Sequence, residues 1–171
     1  MGTWNKKIWI GLLAVSASMA GTTFGDEAKD QAAVAKLLPT AKVTLSQGLA
    51  AAESKGQPIS AKFEVDEGHF QLSVYTARGA ALQEIVVDYT TGKIAKGEPL
   101  SDADDVAAAK KQVAAMAKAT TTLKAAVDKA EQESAGYRAV SVTPILKQQH
   151  AVATVTLLKG TQFKSVSESL E

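Results

Sequence analysis

Between residues 57 and 94 the chain alternates. Ile59, Ala61, Phe63 and Val65 are apolar, with Ser60, Lys62 and Glu64 between them. A period of two predicts a strand with one buried face. Asp66-Glu67-Gly68 predicts a turn, and Phe70, Leu72 and Val74 alternate again. Ala77-Arg78-Gly79 predicts a second turn. Residues 82–87 read as a third strand, followed by Asp88-Tyr89-Thr90-Thr91-Gly92-Lys93 as a third turn, after which Ile94 restarts a strand.

Ahead of the strands the period lengthens. Thr44 caps a helix over residues 45–55, with Gln47 three positions on completing a capping box and Gly56 ending it. The same order recurs downstream. Thr122 caps a helix over residues 123–135, stopped by Gly136. Strands follow over 140–146, 151–158 and 162–170, with a turn at Lys159-Gly160. Pro144 places the first of these strands at an edge or a bulge. Two further helices are expected. One covers residues 26–38 and is ended by Pro39. The other runs from residue 101 to about 118, opened by a Ser101-x-x-Asp104 cap, with Asp102, Asp104 and Asp105 favoured by the helix dipole. Thr120-Thr121-Thr122 separates it from the next helix, against a competing continuous helix over 102–135. Residues 96–99 make the best linker.

The recurrence is a repeat. Sliding residues 59–90 by 81 positions sets Ser60 on Ser141, His69 on His150, Val74 on Val155 and Gly79 on Gly160 without a gap. Upstream the offset shortens, so that Thr44-Leu45 meets Thr122-Leu123 and Gly56 meets Gly136. The expected fold class is α+β: two tandem units, each a helix packed on a small antiparallel β-sheet. The expected division is a leader over 1–20, extending at most to 25, unit one over 26–96, a linker over 97–100, and a diverged unit two over 101–171. Unit two lacks a counterpart of Thr91-Gly92-Lys93, which predicts an exposed edge at its last strand.

The leader differs in kind from the rest. Lys6 and Lys7 precede the apolar run 8–15, and Ser18-Met19-Ala20 places small residues where a signal peptidase cuts. The run is too short for a membrane span of about 20 residues, so the expectation is export to the periplasm or beyond, with no membrane attachment after cleavage. An uncleaved anchor is the minor alternative.

Composition then narrows the function. The 171 residues are 46% hydrophobic and 22% charged, with net charge +1. Removal of the leader's two lysines leaves 17 basic and 18 acidic residues. That balance lacks the basic stripe of a nucleic-acid binder, and 5% aromatic content gives no stacking platform. With no cysteine there is no lipobox, thiol nucleophile or cysteine zinc site.

Candidate chemistry is sparse. His69 and His150 are the only histidines and occupy equivalent positions. A metal or pH-sensing pair is the sharp reading, but zinc wants three or four ligands, and two strand-opening histidines are the plainer one. Counted from Asp102 as a calcium loop, positions six and twelve are Ala107 and Val113 instead of glycine and glutamate, so the pattern fails. Lys110, Lys111, Lys118, Lys124 and Lys129 read as a solvated helix face. No G-x-S-x-G, P-loop, H-E-x-x-H or G-x-G-x-x-G motif is present. No catalysis and no cofactor is expected.

One resemblance emerges at Val87-Asp88-Tyr89-Thr90-Thr91-Gly92-Lys93-Ile94. A helix opening Thr-Leu, antiparallel strands and then Val-Asp-x-x-Thr-Gly-Lys resembles the PepSY family, found in propeptides of secreted metallopeptidases and in stand-alone exported proteins. It covers residues 43–96 and, more weakly, 121–170. Unit two departs from the pattern, with Glu168-Ser169-Leu170-Glu171 where unit one has Val87-Asp88-Tyr89-Thr90. The local chemistry explains the motif without catalysis: Asp88 accepts backbone N–H groups of its turn and Gly92 supplies a positive φ. Asp88, Thr91, Gly92 and Lys93 are therefore turn architecture. The resemblance implies a non-catalytic protein that binds, and inhibits or regulates, an exported peptidase or another envelope protein. The alternative is a periplasmic carrier of a small ligand or metal.

Overall fold

The computed structural model describes residues 24–171, so the leader lies outside the described residues. Four α-helices and seven strands follow in the order α1 (Phe24–Leu37), a short 3-10 turn (Leu38–Thr40), α2 (Leu45–Ala52), β1 (Gln57–Asp66), β2 (His69–Arg78), β3 (Ala81–Val87), β4 (Ile94–Pro99), α3 (Ala103–Met116), α4 (Leu123–Gln132), β5 (Arg138–Lys147), β6 (His150–Lys159) and β7 (Gln162–Ser169).

All seven strands belong to one antiparallel sheet, ordered β4-β3-β2-β1-β5-β6-β7. This corrects the expected fold class. The chain does not form two separate helix-on-small-sheet units, because β1 and β5, which would have been free edges, pair with each other. An edge strand carries unpaired backbone groups, and two such edges satisfied one another. One hydrophobic core then runs through both halves, from Leu45, Ile85 and Val87 to Val127, Val155 and Leu157.

The repeat survives as internal symmetry of that sheet. β1 and β5, and likewise β2 and β6, start and end 81 positions apart. The register breaks at the same place in both hairpins, between Pro58 and Ser60 and between Ala139 and Ser141. Ile59 and Val140 are the extra residues of those bulges. The β1–β5 ladder pairs Ala61 with Val142 and Lys62 with Ser141. Ala61 and Val142 are equivalent in the repeat, so a pseudo-twofold axis passes between them.

Register assigns the faces. Ala61, Phe63, Leu72, Val74, Ile85, Val142 and Val155 share one face, which α2 and α4 cover. At Gly48 in α2, a Cβ would lie 2.4 Å from Leu72 Cδ2. The two helices are also tied to each other, Ser46 Oγ donating to Asp128 Oδ1 at 2.5 Å. The opposite face carries Ser60, Lys62, Glu64, Tyr75, Ser141, Thr143, Thr154 and Thr156. There Gln112 of α3 bonds Ser60 at 2.8 Å.

Local expectations meet the structure unevenly. Thr44 forms its capping box with Gln47, and Thr122 caps α4. α3 and α4 are separate helices, as the threonine run requires. The cap of α3 is Asp102, whose carboxylate accepts from Asp104 N and Asp105 N, in place of the expected Ser101. Residues 96–99 are not a linker: β4 occupies them, pairing Lys96 with Val86 and Pro99 with Gln83. Pro144 is neither at an edge strand nor at the bulge. It sits inside β5 opposite Ala153, beyond the short stretch where β5 pairs with β1.

Candidate functional site

A cleft of about 300 Å³ opens on the polar face of the sheet, beside the pseudo-twofold axis. Its floor comes from both halves: Ser60, Lys62, Glu64 and Asp66 of β1, Tyr75 of β2, Ser141 and Thr143 of β5, and Thr154 and Thr156 of β6. Alternation aims these side chains away from the core, since their neighbours Ala61, Phe63, Val74, Val142 and Val155 are buried on the other side.

The walls are α1 and α3. Glu27, Asp30, Gln31 and Val34 line the cleft from α1, at the three-to-four spacing that puts residues on one helix face. Gln112 lines it from α3. At the 78-residue offset that relates Thr44 to Thr122, Val34 corresponds to Gln112 and Leu38 to Met116, all four buried. The cleft is thus framed by equivalent helices but furnished unequally: Lys62 corresponds to Thr143, and Tyr75 to Thr156.

Arg138 holds α1 in place. Its guanidinium donates to Leu38 O at 3.0 Å and Val43 O at 2.8 Å and stacks over Phe63, 5.7 Å from the ring centroid. Both carbonyls belong to the connection between α1 and α2, Leu38 O also accepting from Ala41 N at 3.0 Å, and a guanidinium fork suits two such oxygens at once.

Polar groups in the cleft are incompletely used. Tyr75 is 6% exposed and Gln112 is 3% exposed. Gln112 Oε1 accepts from Ser60 Oγ. Neither the Tyr75 hydroxyl nor the Gln112 amide nitrogen has a hydrogen-bond partner among the described residues. Lys62 pairs with Glu64 at 2.5 Å and lies 5.9 Å from the Tyr75 ring centroid. Desolvation by burial, and then the carboxylates of Glu64, Glu84, Asp105 and Asp66, push the Tyr75 hydroxyl far above the usual tyrosine range. Four carboxylates thus face this hydroxyl, against the one ammonium of Lys62. Beside the cleft, Gln71 Nε2 and Ser73 Oγ bond Glu84 Oε1 at 3.5 and 2.9 Å.

The residues singled out from sequence lie elsewhere. Asp88 Oδ1 accepts from Thr90 N at 2.8 Å and Thr91 N at 2.7 Å. These backbone donors, Thr91 first, hold its carboxyl below the ordinary value. Gly92 takes φ 74° and Lys93 O accepts from Asp88 N. This turn also anchors the chain entering α2: Tyr89 O accepts from Lys42 N and Val43 N. Leu170 O, 81 positions on, accepts from Thr120 N and Thr121 N ahead of α4. The second half thus keeps the anchor without the Thr-Gly-Lys residues.

His69 and His150 each open a strand, at opposite ends of the sheet. Each hairpin end lies five residues from the Ala61–Val142 pair, in opposite directions. Strand rise puts them about 33 Å apart, so the two do not meet. His150 Nδ1 instead contacts Glu171 Oε2 at 2.8 Å. Among the described residues no group of three or more His, Asp or Glu could hold a metal. The lysines are dispersed: Lys118 bonds Gln149 O, Lys124 pairs Asp128, and Lys129 pairs Glu168.

Sequence reasoning missed Tyr75, Gln112, Glu27 and Asp30. The available signal was a sheet face rich in hydroxyls beside two helices with polar residues at one-face spacing.

No protein-family model matches the chain, and no curated protein matches it. Among solved structures, a "putative lipoprotein" from Clostridium difficile 630 aligns at a TM-score of 0.41 and 14% identity, over 70% of this chain and 78% of that one. Among the described residues no helix is long and apolar enough to cross a membrane.

Proposed function

We propose that this is an exported, non-catalytic binding protein of PepSY type that holds, and thereby inhibits or regulates, a peptidase or another envelope protein. The leader pattern Lys6-Lys7, residues 8–15 and Ser18-Met19-Ala20 supports export. The Val87-Asp88 to Lys93 motif supports the family reading.

The observation that carries the mode of binding is an asymmetry at the sheet edges. The outer side of β3 is filled by β4. The outer side of β7, its equivalent, has no partner strand among the described residues. β4 as an edge is guarded by the Lys96–Glu98 ion pair and by Pro99. β7 has no proline, and its charged residues are engaged within the fold, Lys164 over the Tyr137 ring and Glu168 with Lys129, leaving Ser165, Val166 and Ser167 between them. An extended segment of the partner adds there as an eighth strand.

The test is affinity capture from the source organism's envelope and secreted fractions. Successive residues of an edge strand point their N–H groups alternately inward and outward, so one of Ser165→Pro and Val166→Pro leaves the β6–β7 ladder intact. The variant that melts like the parent serves as the second bait. A peptidase or envelope protein captured by the parent and lost with that variant is the expected result. Equal capture by both removes β7 as the docking strand. No capture above a scrambled bait removes the protein-partner reading.

A second reading, a small-ligand carrier, is favoured by the cleft between α1 and α3. Its 300 Å³ lies at the lower end of the range for small-molecule sites.

A further inference from the structure

We propose that the cleft between α1 and α3 binds a small amphipathic amine, its ammonium among the carboxylates of Glu27, Asp30, Glu64 and Asp66 and its apolar part against Phe163 and Val34. The inference rests on the small-ligand reading and adds the chemical class.

Charge gives the sign. Of the charged residues lining the cleft, four are carboxylates and one, Lys62, is cationic. Lys62 is already matched by Glu64. Glu27, Asp30 and Asp66 have no ion-pair partner among the described residues. Low-dielectric walls focus such a field into a cleft. The like-signed neighbours that raise the Tyr75 hydroxyl report the same field.

Unspent hydrogen bonds mark this as a site and not only an acidic surface. Among the described residues Thr76 Oγ1 is the fully buried side-chain polar atom with no partner; the Tyr75 hydroxyl and the Gln112 amide nitrogen instead keep access to the cleft. Tyr75 and Gln112 are each more than nine-tenths buried and line the cleft, yet the tyrosine hydroxyl and the amide nitrogen are unpartnered. The hydroxyl can accept from an ammonium N–H. The amide nitrogen can donate to a ligand oxygen or a bridging water.

Shape gives the rest. Phe163 of β7 lies in the second half of the chain and Val34 in the first, with Val140 at the β5 bulge beside them. They supply the apolar part of the lining, with Val34 one turn along α1 from Asp30. The site therefore needs both halves of the repeat, and neither half alone would form it.

The test uses phenethylamine as the probe, followed by NMR shift titration of the purified protein. Its neutral and anionic analogues, 2-phenylethanol and 3-phenylpropionate, are the comparisons. The expected result is saturable binding of the amine, at least fivefold tighter than the alcohol, with the propionate weakest. Shifts should centre on Tyr75, Thr156 and Phe163. Glu27→Gln combined with Asp30→Asn, both on the outer helix, should weaken the amine at least fivefold and leave the alcohol unchanged. Tyr75→Phe, which deletes only the unpartnered hydroxyl, should weaken the amine while the protein melts as before. Equal affinity for amine and alcohol, or preference for the propionate, overturns the cationic class while the ligand reading stands. No saturable shift with any of the three overturns both.

Discussion

Ala61 of β1 pairs with Val142 of β5 across the centre of the sheet. The two occupy the same position in their halves, 81 residues apart, and both are buried, at 2% and 0% exposure. The contact is self-complementary, like an isologous dimer interface made within one chain.

Because that pair joins the halves into one core, unfolding should be a single event. Val142→Ala should lower stability by about 2 kcal/mol, the scale of deleting buried methyl groups. Hydrogen exchange at β2 and at β6 should then accelerate together. Independent loss of one half, with the other still protected, would show that the joint is weaker than its burial implies.

Gly48 stands where its helix would ordinarily prefer alanine, which is about 1 kcal/mol better in a helix interior. Here a Cβ would lie 2.4 Å from Leu72 Cδ2, on a side chain that is 0% exposed. Gly48→Ala should therefore destabilise, by about 1–3 kcal/mol as for an overpacked core. The other half holds Ala126 and Ala153 at the equivalent positions, both buried. A double-mutant cycle with Leu72→Ala should show a favourable coupling, read from urea midpoints.

Asp88 should impose a pH dependence. Its carboxyl titrates below its ordinary 3.8 in the folded protein, held there by the Thr91 and Thr90 N–H groups. A depressed folded value means the unfolded chain binds the proton first. The stabilisation is whole above pH 3.8 and fades as pH falls through the lower folded value. Asp88→Asn keeps an acceptor oxygen but cannot titrate, so its melting temperature should fall less with acid than the parent's. Parallel curves would deny Asp88 this role.

Ser46 and Asp128 tie α2 to α4. Burial alone would raise the Asp128 carboxyl, but the bonds from Lys124 and Ser46 outweigh it and hold it below the ordinary value. Ser46→Ala should cost about 1 kcal/mol, the loss of one hydrogen bond to a partly exposed charge. It should also raise the Asp128 pKa, followed by NMR titration. An unmoved pKa would leave the pair as a contact without energetic weight.

Much of the local structure was legible because it is decided locally. Thr44 with Gln47, the glycine at 92 and the alternation through Phe63 and Leu72 act within a few residues of themselves. Even the repeat was readable, since Ser60 and Ser141 keep their spacing to His69 and His150. The caps failed only where two acceptors competed: Asp102, one residue past Ser101, bonds both N–H groups of the first turn. Residues 96–99 looked like a linker because Gly97 and Pro99 punctuate them, yet an edge strand tolerates both.

The elements, their turns, their buried faces and their duplication are written along the chain. That β1 meets β5, and that α1 and α3 frame a shared cleft, emerges only once the chain has folded. The cause lies in the nature of a strand edge. Alternation specifies which face of a strand is buried, through side chains that differ along the chain. An edge offers backbone N–H and C=O groups that are nearly the same at every residue, so the pattern cannot say which edge will take which partner. Tyr75 and Gln112 share that limit. Each is an ordinary residue on its own element, and they line one cleft only because the two halves close into a single sheet.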